Sequence, residues 1–282
     1  MVDKIIKNLL QYQTHPTFTT EIKNTEQTQE FILEDLVFSS TTERQISALQ
    51  LYPHPQKYKA PYPTILFVHW FEPKASNSNR QEFLPVAKKL AQKGYASLLI
   101  DAYWSTTPEE FEKHPVLYWN QDIAHDTQLC LKQITEILDA LEYLKIDTQV
   151  DNNRLAFVGH DFGAMYGSIV ANLVNDFSTY ILMAATTEFR HWFKFGSKLT
   201  AEAFQKYAEA IAIFDPSKHI QGAYPASILF QFATDDFYVP KGIATSYYEA
   251  AKEPKELRWY QAGHSLNQQA FADLEEWITN KL

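Results

Sequence analysis

Apolar and polar residues alternate near the start of the chain and then give way to short, continuous apolar runs. The segments EFILEDLVFSS (30–40) and RQISALQLYPH (44–54) alternate, which predicts two neighbouring antiparallel strands. Five later runs are apolar almost throughout, namely PTILFVHW, ASLLIDAY, RLAFVGHD, TYILMAA and ASILFQFA. Because a strand with no polar face must be covered on both sides, these runs predict the interior of a parallel sheet.

Segments with helical periodicity separate the apolar runs. They are QEFLPVAKKLAQKGY, QLCLKQITEILDALEYLK, AMYGSIVANLVND, KGIATSYYEAAKE and QQAFADLEEWITNKL, and ELRWYQA adds a further strand. Alternation of this kind predicts an α/β fold with a mostly parallel central sheet and helices on both faces. We therefore predict a single α/β domain over residues 31–282, an N-terminal arm at 1–30 and a short lid segment at about 186–226.

Composition narrows the range of functions. With 282 residues, 45% of them hydrophobic and 21% charged, the chain has the size of one large domain. Its net charge of −9 provides no basic surface for phosphates, which argues against a nucleic-acid partner. No apolar run is long enough to span a membrane, and charges interrupt the apolar residues of the N-terminus. Cys130 is the single cysteine, so we expect no internal disulfide and a cytoplasmic protein.

The segment LAFVGHDFGAMYG (155–167) has the layout of a nucleophile elbow, a sharp turn from a strand into a helix that presents one side chain. Gly159 and Gly163 leave room for the turn, and its centre is Asp161, where most such elbows carry serine. The helix N-terminus also favours an anion. The pattern predicts Asp161 as a candidate nucleophile, and the other interpretation is an ordinary N-cap aspartate.

Two further candidates follow later strands. Asp236 comes after ASILFQFA, with Asp235 as its rival, and His264 follows ELRWYQA and Gly263. Ligands bind beyond the carboxyl ends of parallel strands, so these side chains are expected at one edge of the sheet. An aspartate can accept a hydrogen bond from a histidine and orient its ring. We predict that Asp236 partners His264 and that Gly263 frees the backbone to bring the imidazole over the sheet edge.

The motifs FVHW, GHDFG, ATDDFYVP and QAGHS make the chain resemble the α/β-hydrolase superfamily from about residue 31 to its end. The stretch KKLAQKGYASLLIDAY and the short gap between elbow and acid are most similar to the dienelactone-hydrolase-like branch. The aspartate in the elbow resembles epoxide hydrolases and haloalkane dehalogenases. By this resemblance Asp161 would be the nucleophile, Asp236 the charge partner and His264 the base.

The sequence departs from that superfamily at two loops and in the lid. The strand that usually ends in His-Gly continues here as HWFEP, and Phe162 stands where many dehalogenases and epoxide hydrolases have tryptophan. The resemblance implies an oxyanion site made by the backbone N–H of Phe162 and that of Trp70 or Phe71. The lid is short for an epoxide-hydrolase cap, and its Tyr207 and Tyr224 could serve as acids or only pack in the lid.

Aromatic residues make up 15% of the chain and cluster in the loops expected above the sheet. As a group they predict an apolar pocket with few polar anchors, for which Glu72, Arg190 and His191 are candidates. Individually, each of the aromatic residues could equally serve lid packing. The residues predicted for the pocket or the oxyanion site are Trp70, Phe71, Tyr103, Trp104, His160 and Phe162, and the same loops hold Tyr118, Trp119, Trp192, Phe193, Phe195, Phe237 and Tyr238.

These features predict a cofactor-free hydrolase with a covalent aspartate. A carboxylate is ionised at neutral pH and can displace a leaving group from saturated carbon, which favours a small apolar epoxide or activated alkyl substrate. Two alternatives stay open: an esterase or lactonase with Asp161 as base or atypical nucleophile, and a non-catalytic binding protein of the same fold. Neither a metal-ligand spacing nor a glycine-rich nucleotide loop is recognisable. We also expect the arm to pack beside the site or at a homodimer contact.

Overall fold

A computed structural model describes residues 2–10, 12, 17–113 and 119–282 of the chain. Within this part of the chain nine strands form one sheet. They are β1 (Thr20–Gln27), β2 (Phe31–Ser39), β3 (Gln45–Pro53), β4 (Tyr62–Val68), β5 (Ala96–Ile100), β6 (Val150–His160), β7 (Phe177–Met183), β8 (Ser227–Ala233) and β9 (Lys255–Tyr260).

One helix precedes β1, and from β4 onward one or two helices follow each strand. They are α1 (Val2–Leu10), α2 (Leu84–Ala91), α3 (Pro108–Lys113), α4 (Ile123–Ile146), α5 (Phe162–Ala171), α6 (Arg190–Phe193), α7 (Ala201–Ile211), α8 (Lys241–Ala250) and α9 (Gln268–Lys281). Short 3₁₀ turns follow α7 at residues 212–214, 216–218 and 220–223. In the described part of the chain no helix is both long enough and apolar enough to cross a membrane.

The strand order in the sheet is β1-β2-β3-β5-β4-β6-β7-β8-β9. The strands β1, β2 and β3 pair antiparallel, and β3 also runs antiparallel to β5. All other neighbours are parallel, so six strands from β5 to β9 place their carboxyl ends at one edge. The predicted antiparallel start and mostly parallel sheet are confirmed.

The apolar runs lie at the centre of the molecule. Every residue of β4, β5 and β8 is buried, because these strands are covered on both faces. Side chains of α4, α5 and α8 belong to one buried apolar cluster, and those of α2 and α9 belong to another on the opposite face of the sheet. The predicted layers of helix, sheet and helix are therefore confirmed.

The described part of the first 30 residues contains more regular structure than the sequence pattern indicates. All eight residues of the edge strand β1 are exposed, so the strand has no apolar alternation that would reveal it. Ile6 of α1 is fully buried, and the Tyr12 hydroxyl donates a hydrogen bond to Asp139 of α4 (3.1 Å). The described part of the arm is thus docked on the domain, and its place at the site or at a homodimer contact stays a prediction.

The predicted lid segment contains α6, α7 and the three 3₁₀ turns. Its side chains Phe189, Phe193, Tyr207 and Ile211 belong to the larger buried cluster together with residues of α4 and α5. The segment therefore packs onto the domain, and its role as a lid stays a prediction.

Candidate active site

Asp161 occupies a sharp turn between β6 and α5. Its backbone has φ 52° and ψ −116°, a combination that is strained for a residue with a side chain. The turn depends on very close backbone approaches on both sides. A Cβ on Gly159 would lie 2.5 Å from the Ala164 backbone nitrogen, and one on Gly163 would lie 2.1 Å from the Val68 carbonyl oxygen. The segment therefore has the geometry of a nucleophile elbow.

Asp236 and His264 meet at the same edge of the sheet. His264 Nδ1 lies 2.8 Å from Asp236 Oδ2, and the other carboxylate oxygen accepts the backbone N–H groups of Tyr238 (2.8 Å) and Val239 (3.0 Å). The side chain of Asp236 is fully buried, whereas Asp235 is exposed. The structure thus pairs His264 with Asp236 and not with Asp235.

The carboxylate of Asp161 faces this pair from the elbow. Its Oδ2 lies 3.9 Å from His264 Nε2 and accepts the backbone N–H of Phe71 (3.2 Å). Among the described residues, Asp161 Oδ1 and His264 Nε2 have no hydrogen-bond partner, although both atoms are buried. Buried polar atoms are normally satisfied, so two adjacent unsatisfied ones mark a place where a ligand or a reacting group would bind.

Opposing effects set the protonation of this trio. Burial by itself lowers the pKa of His264, but Asp161 and Asp236 on either side outweigh burial and raise that pKa to about 10. Burial raises the pKa of Asp161, against the lowering effect of His264. Burial also acts to raise the pKa of Asp236, but His264 and two backbone N–H groups bring it below its usual value. At neutral pH His264 therefore holds a proton between the two carboxyl groups.

A cavity of about 660 Å³ opens above the trio. Of the trio, His264 lines the cavity, whereas the buried Asp161 and Asp236 do not. Phe71, whose N–H contacts the Asp161 carboxylate, and Phe162, which follows Asp161 in the chain, also line it. Tyr118 lies outside the described residues. The remaining lining residues are Glu72, Pro73, Lys74, Trp119, Asn120, Gln121, Trp192, Phe193, Phe195, Gly196, Lys198 and Tyr238. Seven of the fifteen described lining residues are aromatic, which agrees with a partly apolar binding pocket of small-molecule size.

No protein-family model matches the chain, and no curated protein resembles it in sequence. Solved structures do resemble it in fold. An acetyl xylan esterase from Paenibacillus sp. R4 has a TM-score of 0.74 at 17% identity, over 99% of this chain and 92% of that one. Acetyl xylan esterase 1 from Thermoanaerobacterium sp. JW/SL YS485 has a TM-score of 0.72 at 15% identity, over 98% and 92%. A glucuronoyl esterase from Solibacter usitatus has a TM-score of 0.64 at 13% identity, over 99% and 91%. The chain has the α/β-hydrolase fold.

This α/β-hydrolase fold buries several residues that the sequence predicts for the pocket. Of the six, Phe71 and Phe162 line the cavity, whereas Tyr103, Trp104, Trp70 and His160 do not. Trp104 is buried and stacks on Tyr166, and its indole N–H donates to the Trp70 carbonyl (3.1 Å). The ring of Tyr103 instead lies 5.5 Å from the Arg44 guanidinium carbon. Aromatic composition predicts a lined pocket, but it does not say which rings turn into the core.

The structure distinguishes the two backbone N–H groups, of Trp70 and Phe71, that the sequence offers as oxyanion donors. The N–H of Trp70 donates to Glu82 (2.8 Å), so it is already used, and only the N–H of Phe71 points at Asp161. His160 is fully buried below the cavity and contacts Glu82. Of the two donors that the sequence leaves open, Phe71 and not Trp70 faces Asp161. The expectation of Trp70 and His160 as pocket residues is corrected, because neither lines the cavity.

The polar side chains of the cavity are also partly different from those predicted. Glu72 lines it, whereas Arg190, His191 and both lid tyrosines do not. Tyr207 donates to the buried Asp126 (2.6 Å), and Tyr224 is 58% exposed, so both belong to lid packing or surface rather than to acid catalysis. Among the described residues no group of three or more His, Cys, Asp or Glu side chains could hold a metal ion.

Two residues near the site are not predicted as site residues by any pattern in the sequence. Gln121 has a left-handed φ of 64°, lines the cavity and donates to the Phe193 carbonyl (2.6 Å), which fixes the cavity wall. Glu82 is a single glutamate in the amphipathic segment around α2, and nothing near it in the sequence suggests that it lies below the elbow. Both positions depend on contacts between distant segments, which pattern and spacing do not report.

We expect Gly163→Ala to lower the free energy of unfolding by about 1–3 kcal/mol, because the new methyl group would overlap the Val68 carbonyl in a packed region. Gly242→Ala is the control, since no atom lies within 4 Å of its added Cβ and alanine favours the helix. Denaturant unfolding of both variants measures the difference, and equal stability would contradict this account.

Gly263 also has room for a side chain and no left-handed φ, so the predicted need for glycine before His264 is wrong.

The raised pKa of His264 makes stability depend on pH. The folded protein keeps a proton that an unfolded histidine releases near pH 6.5, so this contribution is fully present below about pH 6.5. It is lost as pH rises towards about 10, at up to about 1.4 kcal/mol per pH unit. We expect the difference in unfolding free energy between wild type and His264→Gln to shrink over this range. Parallel curves from urea unfolding at pH 6 to 10 would contradict the pairing.

Proposed function

We propose that the chain is a hydrolase in which Asp161 attacks a saturated carbon of a small, mainly apolar substrate and forms a covalent ester. The observation that carries this proposal is that the two oxygens of the Asp161 carboxylate differ in their hydrogen bonds. Its Oδ2 accepts the N–H of Phe71, while Oδ1 has no partner among the described residues. One oxygen is therefore held by a donor, and the other is buried with no hydrogen bond that an attack on a substrate would have to break.

In the first step Asp161 Oδ1 forms a bond to the substrate carbon, and the bond from that carbon to its leaving group breaks with its electron pair. For an epoxide the leaving oxygen stays attached as an alkoxide and takes the proton of His264. His264 then becomes neutral. A carboxylate needs no base to activate it for this step, in contrast to a serine.

In the second step neutral His264 takes a proton from water, and the hydroxide adds to the carbonyl carbon of the Asp161 ester. Negative charge develops on Oδ2, where the N–H of Phe71 already lies. The N–H of Phe162, at the first position of α5, has no partner within the helix and can add a second donor. Each donor contributes about 3 kcal/mol in comparable sites. On collapse the bond from the carbonyl carbon to the alkyl oxygen breaks, and that oxygen takes the proton of the added hydroxyl group. For an epoxide the product is a diol, and the Asp161 carboxylate and protonated His264 are restored.

The electrostatics of the trio fit this order of events. In the resting site two carboxyl groups raise the pKa of His264. Esterification of Asp161 removes one of these anions, which lowers the pKa of His264 and makes it a better base for the second step. The same change leaves Asp236 in place to orient the ring through the 2.8 Å contact with Nδ1.

A second candidate is hydrolysis of an ester or lactone with Asp161 as base. It is favoured by the three proteins of similar fold named above, which are described as esterases. An ester carbonyl, however, needs the oxyanion donor at Phe71, and in this site Asp161 already occupies that donor. Alkyl transfer to Asp161 uses the same hydrogen bond without displacing it, so we rank it first.

The intact mass of His264→Gln distinguishes these functions after incubation with pooled epoxides, haloalkanes and activated esters. We expect a mass adduct on Asp161 from the haloalkanes, because a halide leaves without a proton from His264, so the ester forms while its hydrolysis is stalled. No adduct is expected in Asp161→Asn combined with His264→Gln. In H₂¹⁸O the wild-type protein should take label into the Asp161 carboxylate. Ester turnover with label only in the product would favour Asp161 as base. Absence of adduct and turnover across all three classes would favour the non-catalytic binding protein.

A further inference from the structure

A second pair of ionisable side chains lies directly below the trio and has no part in the two steps above. His160 precedes the candidate nucleophile and is fully buried, and the side chain of Glu82 is 3% exposed. His160 Nδ1 lies 2.5 Å from Glu82 Oε1, and His160 Nε2 lies 3.0 Å from the backbone carbonyl oxygen of His264. The pair therefore touches the loop that carries the candidate base.

The contacts of His160 define its charge. One ring nitrogen faces a carboxyl oxygen of Glu82 and the other faces a backbone carbonyl oxygen, and an ionised carboxylate and a carbonyl only accept hydrogen bonds. A neutral imidazole has one N–H, so it could satisfy only one of the two contacts. An imidazolium donates to both. Unpaired buried charges are very costly, and the adjacent Glu82 carboxylate supplies the opposite charge that a buried imidazolium requires.

Glu82 connects the pair to the oxyanion loop as well. Its Oε2 accepts the backbone N–H of Trp70 (2.8 Å), the residue before the donor Phe71. The Trp70 ring stacks on His160 with centroids 5.1 Å apart and planes at 12°, and its centroid is 6.3 Å from that of His264. The loops on the two sides of Asp161 are thus both tied to this one buried pair.

We infer that Glu82 and His160 are positioning residues, a buried ion pair that holds the Phe71 N–H and the His264 ring against the Asp161 carboxylate. The inference deepens the proposed function, and the change in kcat that it predicts rests on that function. The existence of the ion pair does not, because it can be measured without any substrate. Failure of one is therefore distinguishable from failure of the other.

The first test is nitrogen NMR of the wild-type protein with ¹⁵N-labelled histidine at pH 7. We expect His160, assigned through its ring contacts with Trp70, to carry protons on both ring nitrogens. In Glu82→Gln the ring should lose one of them. A singly protonated His160 in the wild-type protein would overturn the inference, and this measurement needs no buried substitution.

The second test asks whether the pair positions His264. The Nδ1–H of His264 that bonds Asp236 should give a downfield proton signal, and we expect that signal to shift or broaden in His160→Gln. His219→Gln is the matched control, because His219 is equally buried and its ring contacts Asn172 and the Ile213 carbonyl in the body of the lid. An unchanged signal in folded His160→Gln, or an equal change in the control, would contradict the positioning role.

The kinetic consequence follows for any substrate that the wild-type protein turns over. Glu82→Gln is expected to lower kcat by about 10²-fold, the cost of a misplaced catalytic group, while KM changes little because the pair does not line the cavity. Glu82→Asp should recover part of that loss, since it keeps the charge. A rise in KM with unchanged kcat would instead mean that the pair shapes the cavity, which the inference excludes.

Discussion

Replacement of Asp161 by asparagine is expected to abolish turnover and, at the same time, to make the protein more stable. The amide keeps the shape of the side chain, and its oxygen can still accept the Phe71 N–H. It has no anionic oxygen to attack a carbon and cannot form the ester. The loss in kcat should be on the order of 10⁴-fold or more, as when other enzymes lose their nucleophile.

The stability gain follows from the direction of the Asp161 pKa. Burial raises that pKa even though His264 opposes the change. A carboxyl whose pKa is raised in the folded state stabilises only below its ordinary pKa near 4, and its ionised form costs stability as pH rises above that value. Asparagine has no ionised form, and it tolerates a positive φ such as the 52° of this turn better than most residues. Asp161→Asn should therefore have a higher Tm than wild type at pH 7.

Asp151→Asn is a control in which the stability is expected to change in the opposite direction. Arg154 holds the pKa of Asp151 below its usual range, so the loss of this carboxylate should lower stability slightly and leave turnover intact. Thermal unfolding and turnover of the wild-type protein and both variants complete the test. Residual turnover near the wild-type level in Asp161→Asn, or a lower Tm for that variant, would contradict the assignment of Asp161 as a strained, functional acid.

Much of the fold was predictable from the sequence, because strands buried on both faces of the sheet are continuous apolar runs. The strands β4, β5 and β8 are wholly buried and appear as unbroken apolar runs. The edge strand β1 shows the limit of this signal, since all of its residues are exposed and no pattern distinguishes them from a loop. The order β3-β5-β4 is likewise absent from the sequence, because it depends on which strands meet in space.

The candidate site was predictable where its residues follow strand ends. Asp161, Asp236 and His264 follow three parallel strands, and such ends share one edge of the sheet. The orientation of neighbouring side chains was not predictable. Trp70 and His160 also lie at strand ends, yet both side chains are buried. The Trp70 backbone N–H and the His160 ring contact Glu82, a residue that approaches them only in the folded chain.

Asp236→Asn is the second substitution with a large expected effect, and it should act on the second step. The oxygen of the introduced amide would keep the two backbone N–H groups that Asp236 Oδ1 now accepts, which leaves the amide N–H₂ facing His264 Nδ1. The ring would then present its lone pair to the amide and carry its proton on Nε2. In that tautomer His264 cannot take a proton from water, and the loss in the same substitution elsewhere is about 10⁴-fold in kcat.

Asp235→Asn is the matched control for Asp236→Asn, because it makes the same chemical change one residue away on an exposed side chain. We expect it to alter kcat by no more than about twofold, as is usual for a surface position. Intact mass adds a sharper distinction, since Asp236→Asn should accumulate the Asp161 ester during turnover while Asp235→Asn should not. If Asp235→Asn proved the more damaging, His264 would have the other aspartate as its working partner. If neither variant accumulated an ester while Asp236→Asn still lost its activity, Asp236 would be needed before the ester forms, and Asp161 would act with His264 as a base on water.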